Sequence, residues 1–218
     1  MTLTSVSTHS APPVALCLAL TLDPTLAVMT GGAGCNSFEA GKRCPGMTET
    51  EYRTEFSLWV IGAASMIVST DLRNMTDFMK ETLMHKEMLA IHQDPMGIAG
   101  GLVHKDESSA GCAQPTDNKP ANAKNGYCQM WARPLSGGKW AMALFNRNNH
   151  SATVSGPFSA LPAQPAQTIL GSNEHAGAAP TTLMVRNVWS GADLGSHSGS
   201  FSAELDGHAT VVLLLSPS

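Results

Sequence analysis

Five cysteines, eight histidines and four tryptophans carry the most specific chemistry in this 218-residue sequence. An odd number of cysteines leaves at least one without an intrachain partner. Cys35 and Cys44 flank a short polar loop, and Cys112 and Cys128 flank a longer one. Either pair can close a loop disulfide in an oxidising compartment, and all five stay free thiols in a reducing one. The histidines form neither H-E-x-x-H nor a close H-x-H pair, so no metal site is expected. His85 and His92 sit two nominal turns apart on a helical stretch, where solvent or core contacts account for them. The glycine loop Thr30 to Gly34 has neither the Lys-Ser/Thr of a P-loop nor the G-x-G-x-x-G spacing. Gly195 to Gly199 puts His197 where a nucleophile elbow needs serine. Two sequons, Asn74-Met75-Thr76 and Asn149-His150-Ser151, are candidate glycosylation sites.

The elements that hold these residues fall into two styles. Thr48 is an N-cap candidate with Glu51 three positions on, the capping-box pattern. Tyr52, Phe56, Trp59 and Ala63 follow at helical spacing, so a helix with one apolar face is expected to pack on a sheet. Met66 to Ser69 reads as a short buried strand, and a second helical stretch runs from Thr76 through Ile91 until Asp94-Pro95 ends it. Helix, buried strand and helix in that order are α/β architecture. Beyond Gly97 the pattern is all-β. Gly126 to Arg133 and Trp140 to Phe145 flank the turn Ser136 to Lys139 as a hairpin, and Leu183–Trp189, Gly199–Leu205 and Thr210–Leu215 read as further strands.

The expected division is therefore residues 1–28, compositionally distinct, then an α/β segment 29–96 and an antiparallel β domain 97–218. Hydrophobic content of 43% supports a packed core, and a net charge of −4 without a basic stripe excludes a nucleic-acid footprint. The longest apolar run, Val14 to Leu22, is too short to span a membrane. It has the length of a signal-peptide core, but no Lys or Arg precedes Lys42, so no convincing signal peptide is read.

Several ordered blocks resemble the α-galactosidases of glycoside hydrolase family 27. Pro45-Gly46-Met47-Thr48 with Glu51 to Trp59 is similar to a late barrel helix, and Ile67 to Thr76 to the last barrel strand and its exit. Lys86 to Ile91 with Gln93-Asp94-Pro95-Met96-Gly97 is similar to the closing helix. Trp131-Ala132-Arg133-Pro134-Leu135, Ala141 to Arg147, Val188-Trp189, Asp193-Leu194-Gly195 and Leu213 to Pro217 resemble the C-terminal β domain.

The resemblance implies the last one or two units of a (β/α)8 TIM barrel followed by an antiparallel β-sandwich. It implies hydrolysis of terminal α-D-galactosyl residues with retention, on galactoside or oligosaccharide substrates, without a cofactor. It also implies a secreted or lysosome-like endomembrane setting. Retention requires two closely spaced carboxyl groups, and in this family both stand on earlier strands. A whole barrel takes about 250 residues, so no residue here is assigned as catalytic, and activity of this chain alone is not expected. The family's N-D-P-D segment is matched only by Leu22-Asp23-Pro24-Thr25, with Thr25 at its second acidic position: either the site is altered, with Asp23 the one substrate-binding candidate, or residues 1–28 are a non-family segment. Asp71, at the end of the strand, reads as a cap for the next turn. The alternative is a non-catalytic carbohydrate-binding module, for which Trp131, Trp140 and Trp189 are the candidate sugar-stacking platform.

Overall fold

The computed structural model describes residues 28–29, 48–68, 73, 76–109, 111–112, 127–164 and 181–218. Its elements are β1 (Val28–Met29), α1 (Glu49–Gly62), β2 (Ile67–Val68), α2 (Asp77–Leu83), α3 (Lys86–His92), β3 (Gly101–Asp106), β4 (Cys128–Leu135), β5 (Lys139–Asn146), β6 (Ala152–Pro157), β7 (Thr182–Asn187), β8 (Asp193–Ser198), β9 (Ser200–Leu205) and β10 (Thr210–Pro217).

The helix α1 begins where its cap chemistry places it. Thr48 is extended, its side chain accepts from Glu51 N, and Glu51 returns a carboxylate oxygen to Thr48 N at 2.8 Å. The second helical stretch differs from expectation, because it is broken into α2 and α3. His85 adopts an extended conformation and caps α3, its ring accepting from Met88 N at 3.4 Å. An imidazole in the capping role restarts the helix there.

β1 and β2 pair in parallel, Val28 with Ile67 and Met29 with Val68. The remaining strands are antiparallel. Six form one sheet in the order β3-β4-β5-β10-β7-β8, and β6 pairs with β9 separately. The β4–β5 hairpin turns through Ser136–Gly138, where Gly137 and Gly138 take φ of 71° and 68°, a region that disfavours side chains bearing Cβ. β1, β3, β6 and β8 are strands that the sequence pattern did not announce, and β1 includes Met29, where the sequence reads as the opening of a loop.

Both faces of the large sheet are covered, which explains why β5 is buried at nearly every position. On one face Met130, Trp140, Met142, Leu144, Leu213 and Leu215 meet Val154, Phe158 and Leu205, giving the sandwich core. On the other, Ala141, Ala143 and Val212 meet Phe56, Val60 and Ile61 of α1 and Met88 and Ile91 of α3. Alternation along β5 separates the faces: Trp140, Met142 and Leu144 join the β6–β9 layer, Ala141 and Ala143 meet the helices, and Phe145 packs with Leu58 of α1. The small side chains let α1 lie close to the sheet. Each buried Phe, Val or Ile in that seam contributes about 1.5–3 kcal/mol of transfer free energy.

Candidate functional site

Most of the described side chains that combine charge, burial and directed hydrogen bonds lie where the helices meet the β layers; Asp106, at the end of β3, binds Ser108, Ser109 and the Ser155 amide of β6 instead. At the C-terminal end of α1, Ala63 is left-handed (φ 50°), and its amide returns to Val60 O. Arg133 of β4, 0% exposed, donates Nη1 to Val60 O at 3.0 Å. Gly100 N donates to Ile61 O at 2.9 Å, and His92 Nε2 donates to Ala64 O at 2.8 Å. A guanidinium against the negative end of a helix is favoured electrostatically. Burial lowers the Arg133 pKa, an effect that nearby Asp94 opposes.

At the other end of α1, Glu51 Oε1 accepts from His208 Nδ1 at 2.9 Å, and Thr54 Oγ1 donates to His208 O at 2.6 Å. The β9–β10 turn is thereby held against the first turns of the helix. Burial alone would raise the Glu51 pKa, but hydrogen bonds from Thr48 and His208 outweigh it and hold the carboxyl below its ordinary value. A third contact ties α3 to β7 and β8: Arg186 donates to Glu87 through Nε and Nη2, and to Asp193 through Nη1 at 2.8 Å.

These carboxylates decide what the arrangement can do. A retaining glycosidase needs one carboxyl whose pKa is raised so that it carries a proton. Glu87 is shifted the other way, first by the Arg186 hydrogen bond. In Asp94, burial raises the pKa but is outweighed by the Ser136 hydroxyl and the Met96 and Ser136 amides. In Asp106, burial is likewise outweighed by hydrogen bonds from Ser109, the Ser155 amide and Ser108. Each holds a turn or a joint, as an ionised acceptor, and none is poised as an acid. An open cleft of about 180 Å³ lies between α3 and the β4–β5 turn, lined by Glu87, Ile91, Asp94, Ser136 and Lys139 among others. Its two acidic groups are the Arg186-bound and Ser136-bound carboxylates. Among the described residues, no three of His, Cys, Asp and Glu gather where they could hold a metal ion.

The expected site residues fare unevenly. Asp23, Thr25, Cys35, Cys44, Asp71 and Asn74 lie outside the described residues. Cys112 and Cys128 are disulfide-bonded, with Cα atoms 5.3 Å apart. Asn149 lies exposed in the bend between β5 and β6. The three tryptophans are packed rather than presented. Trp140 is 3% exposed, and its indole donates to Pro162 O at 2.8 Å. Trp131 is half-buried and donates to Gln129 Oε1 at 2.9 Å. Trp189 donates to Ser57 Oγ and is flanked by the rings of Phe56 and His85, with the Arg53 guanidinium 5.4 Å from its ring centroid. That packing leaves little of its surface for a sugar to stack on. His85 and His92 are half-buried, one a cap and ring partner, the other a carbonyl donor, rather than solvent-facing positions.

Comparison with known proteins follows the same two-part layout. Residues 43–94 match the family described as α-galactosidase A, and residues 125–215 match the α-galactosidase C-terminal β-sandwich domain. Alpha-galactosidase 3 of Arabidopsis thaliana is 32% identical over 173 residues, covering 79% of this chain and 33% of the plant protein. The α-galactosidase of Cyamopsis tetragonoloba is 31% identical over 172 residues, covering 79% and 34%. The chain thus spans about one third of the relatives it matches. Among solved structures, α-galactosidase I from Mortierella vinacea aligns with a TM-score of 0.59 at 19% identity, covering 80% of this chain and 37% of that one. A GH27 β-L-arabinopyranosidase from Geobacillus stearothermophilus in complex with arabinose aligns at 0.62 and 21%, covering 87% and 36%. At such identities the structural likeness carries the fold.

Proposed function

Because the chain belongs to the α-galactosidases of glycoside hydrolase family 27, whose C-terminal region it carries, we propose that it serves an enzyme hydrolysing terminal α-D-galactosyl residues with retention. In that reading its part is to brace the late barrel helices against the β-sandwich, while the acid and the nucleophile come from outside residues 48–218. The observation that carries it is the joint around α1: a single helix, matched to the α-galactosidase A family, packs on the sheet matched to the C-terminal β-sandwich domain. The downward-shifted carboxylates support the second half, since none is fitted to donate a proton. Asp23 stands as the one substrate contact proposed within the chain. The disulfide between Cys112 and Cys128 supports an oxidising compartment, secreted or lysosome-like. No helix among the described residues is long and apolar enough to cross a membrane.

The test is chromophore release from an aryl α-galactoside. The purified chain alone is expected to release none. A chimaera of the Arabidopsis thaliana relative carrying residues 43–215 of this chain in place of its own matching region is expected to turn over. Turnover by the isolated chain would place acid and nucleophile within it and overturn the division of labour. An inactive but folded chimaera would overturn the bracing role.

A further inference from the structure

We infer that Asn149 is an N-glycosylation site of the folded β domain, taking its glycan from a polyprenyl-diphosphate-linked oligosaccharide. Three asparagines lie close together at the end of β5 and in the β5–β6 connection, and the structure separates their uses. Asn146 is 0% exposed, and its Nδ2 donates to His150 O, Leu205 O and Asp206 O at 2.8–3.0 Å. Asn148 is 4% exposed, and its Nδ2 donates to Gly111 O and Asn146 Oδ1. Both are committed to the core. Asn149 is exposed, and its carboxamide makes no hydrogen bond among the described residues.

All three sequon residues, Asn149, His150 and Ser151, are exposed, in an irregular stretch between two strands. The stretch is nevertheless anchored. Asn148 O accepts from His208 N at 2.9 Å, and Ser151 Oγ donates to Asp206 Oδ1 at 3.0 Å. A Cβ at Gly207 would come within 2.7 Å of the Asn149 carbonyl carbon, so the backbone lies against the β9–β10 turn on one side. A bulky glycan on Asn149 therefore adds to the surface without displacing packed atoms, whereas one on Asn146 or Asn148 would not fit. The disulfide at Cys112 and Cys128 is an independent mark of the compartment in which this transfer occurs. In the transfer, Nδ2 attacks the anomeric carbon of the first sugar and a C–N bond forms. The C–O bond to the diphosphate breaks with its electron pair on oxygen, and Nδ2 gives up one proton.

The experiment translates the full chain behind a secretion leader in the presence of microsomes, where transfer is read before secretion. With Asn74→Gln removing the other sequon, one mobility shift reversed by peptide N-glycosidase is expected. It should vanish when Asn149→Gln or Ser151→Ala is added, and peptide mass should locate the deglycosylation scar at position 149. A protease-protected Asn74→Gln chain with no shift would overturn the inference, as would a shift that survives Asn149→Gln.

Discussion

Glu51 holds two surfaces with one carboxylate: Oε2 closes the helix cap with Thr48, and Oε1 receives His208 from the β9–β10 turn. Its folded pKa is lowered from its ordinary value, because burial is outweighed by hydrogen bonds from Thr48 and His208. The sign of the linkage follows: the stabilisation is fully present above that value and is lost as pH falls through the folded one. Glu51→Gln keeps a cap-forming side chain but removes the charged acceptor facing His208. It is expected to cost about 1 kcal/mol at neutral pH. It should also flatten the acid side of the stability profile, measured as urea midpoints between about pH 6 and pH 3. An acid limb as steep as the wild type would refute the assignment. Asp94 and Asp106 are shifted in the same direction, so the variant's profile should still fall across this range, less steeply than the wild type's.

Among the elements, α1 is the one whose two ends both bind the β layers. Its C-cap residue Ala63 occupies a left-handed conformation usually given to glycine. Ala63→Gly is expected to stabilise by about 0.5–1 kcal/mol. Gly100 is the opposite case: a Cβ there would come within 2.6–2.7 Å of Ala132 O, Arg133 Cβ and Ile61 O. With backbone on two sides, Gly100→Ala should destabilise by roughly 2–3 kcal/mol, and guanidinium midpoints of the pair should move in opposite directions. The start of α1 and the β4–β5 hairpin were legible in sequence because local signals, a capping box and a turn with two glycines, fix them. The break at His85 was not, since an imidazole cap has no common sequence signature. β6 and β8 were hidden for another reason: Gly156 and Pro157 interrupt the first, and the second is an exposed, mostly polar run, Asp193-Leu194-Gly195-Ser196-His197-Ser198. The candidate site was legible only as fragments. Arg133 stood in a quoted block, but that it caps a helix 73 residues away depends on a tertiary approach that spacing does not encode.

For the whole molecule, the contrast is between a well-covered antiparallel sheet and a slight parallel one. Among the described residues β1 and β2 contribute two residues each, and a two-stranded sheet is marginal on its own. Met84, Met184 and Leu194 add 69%, 41% and 39% exposed apolar side chains. The chain by itself is expected to self-associate, so sedimentation velocity at micromolar concentration should show species heavier than 22.9 kDa. A sharp monomer boundary with a cooperative melt is the contrary result. The place of β10 has a consequence for biosynthesis. Last of the described strands to be made, it sits between β5 and β7 in the middle of the sheet. While the ribosome adds residues 147–209, on the order of 3–13 s of elongation, the nascent β4–β5 hairpin must wait with its inner edge unfilled. In that interval Met142 and Leu144 lack the neighbours they later meet, and a holding chaperone has a defined window in which to act.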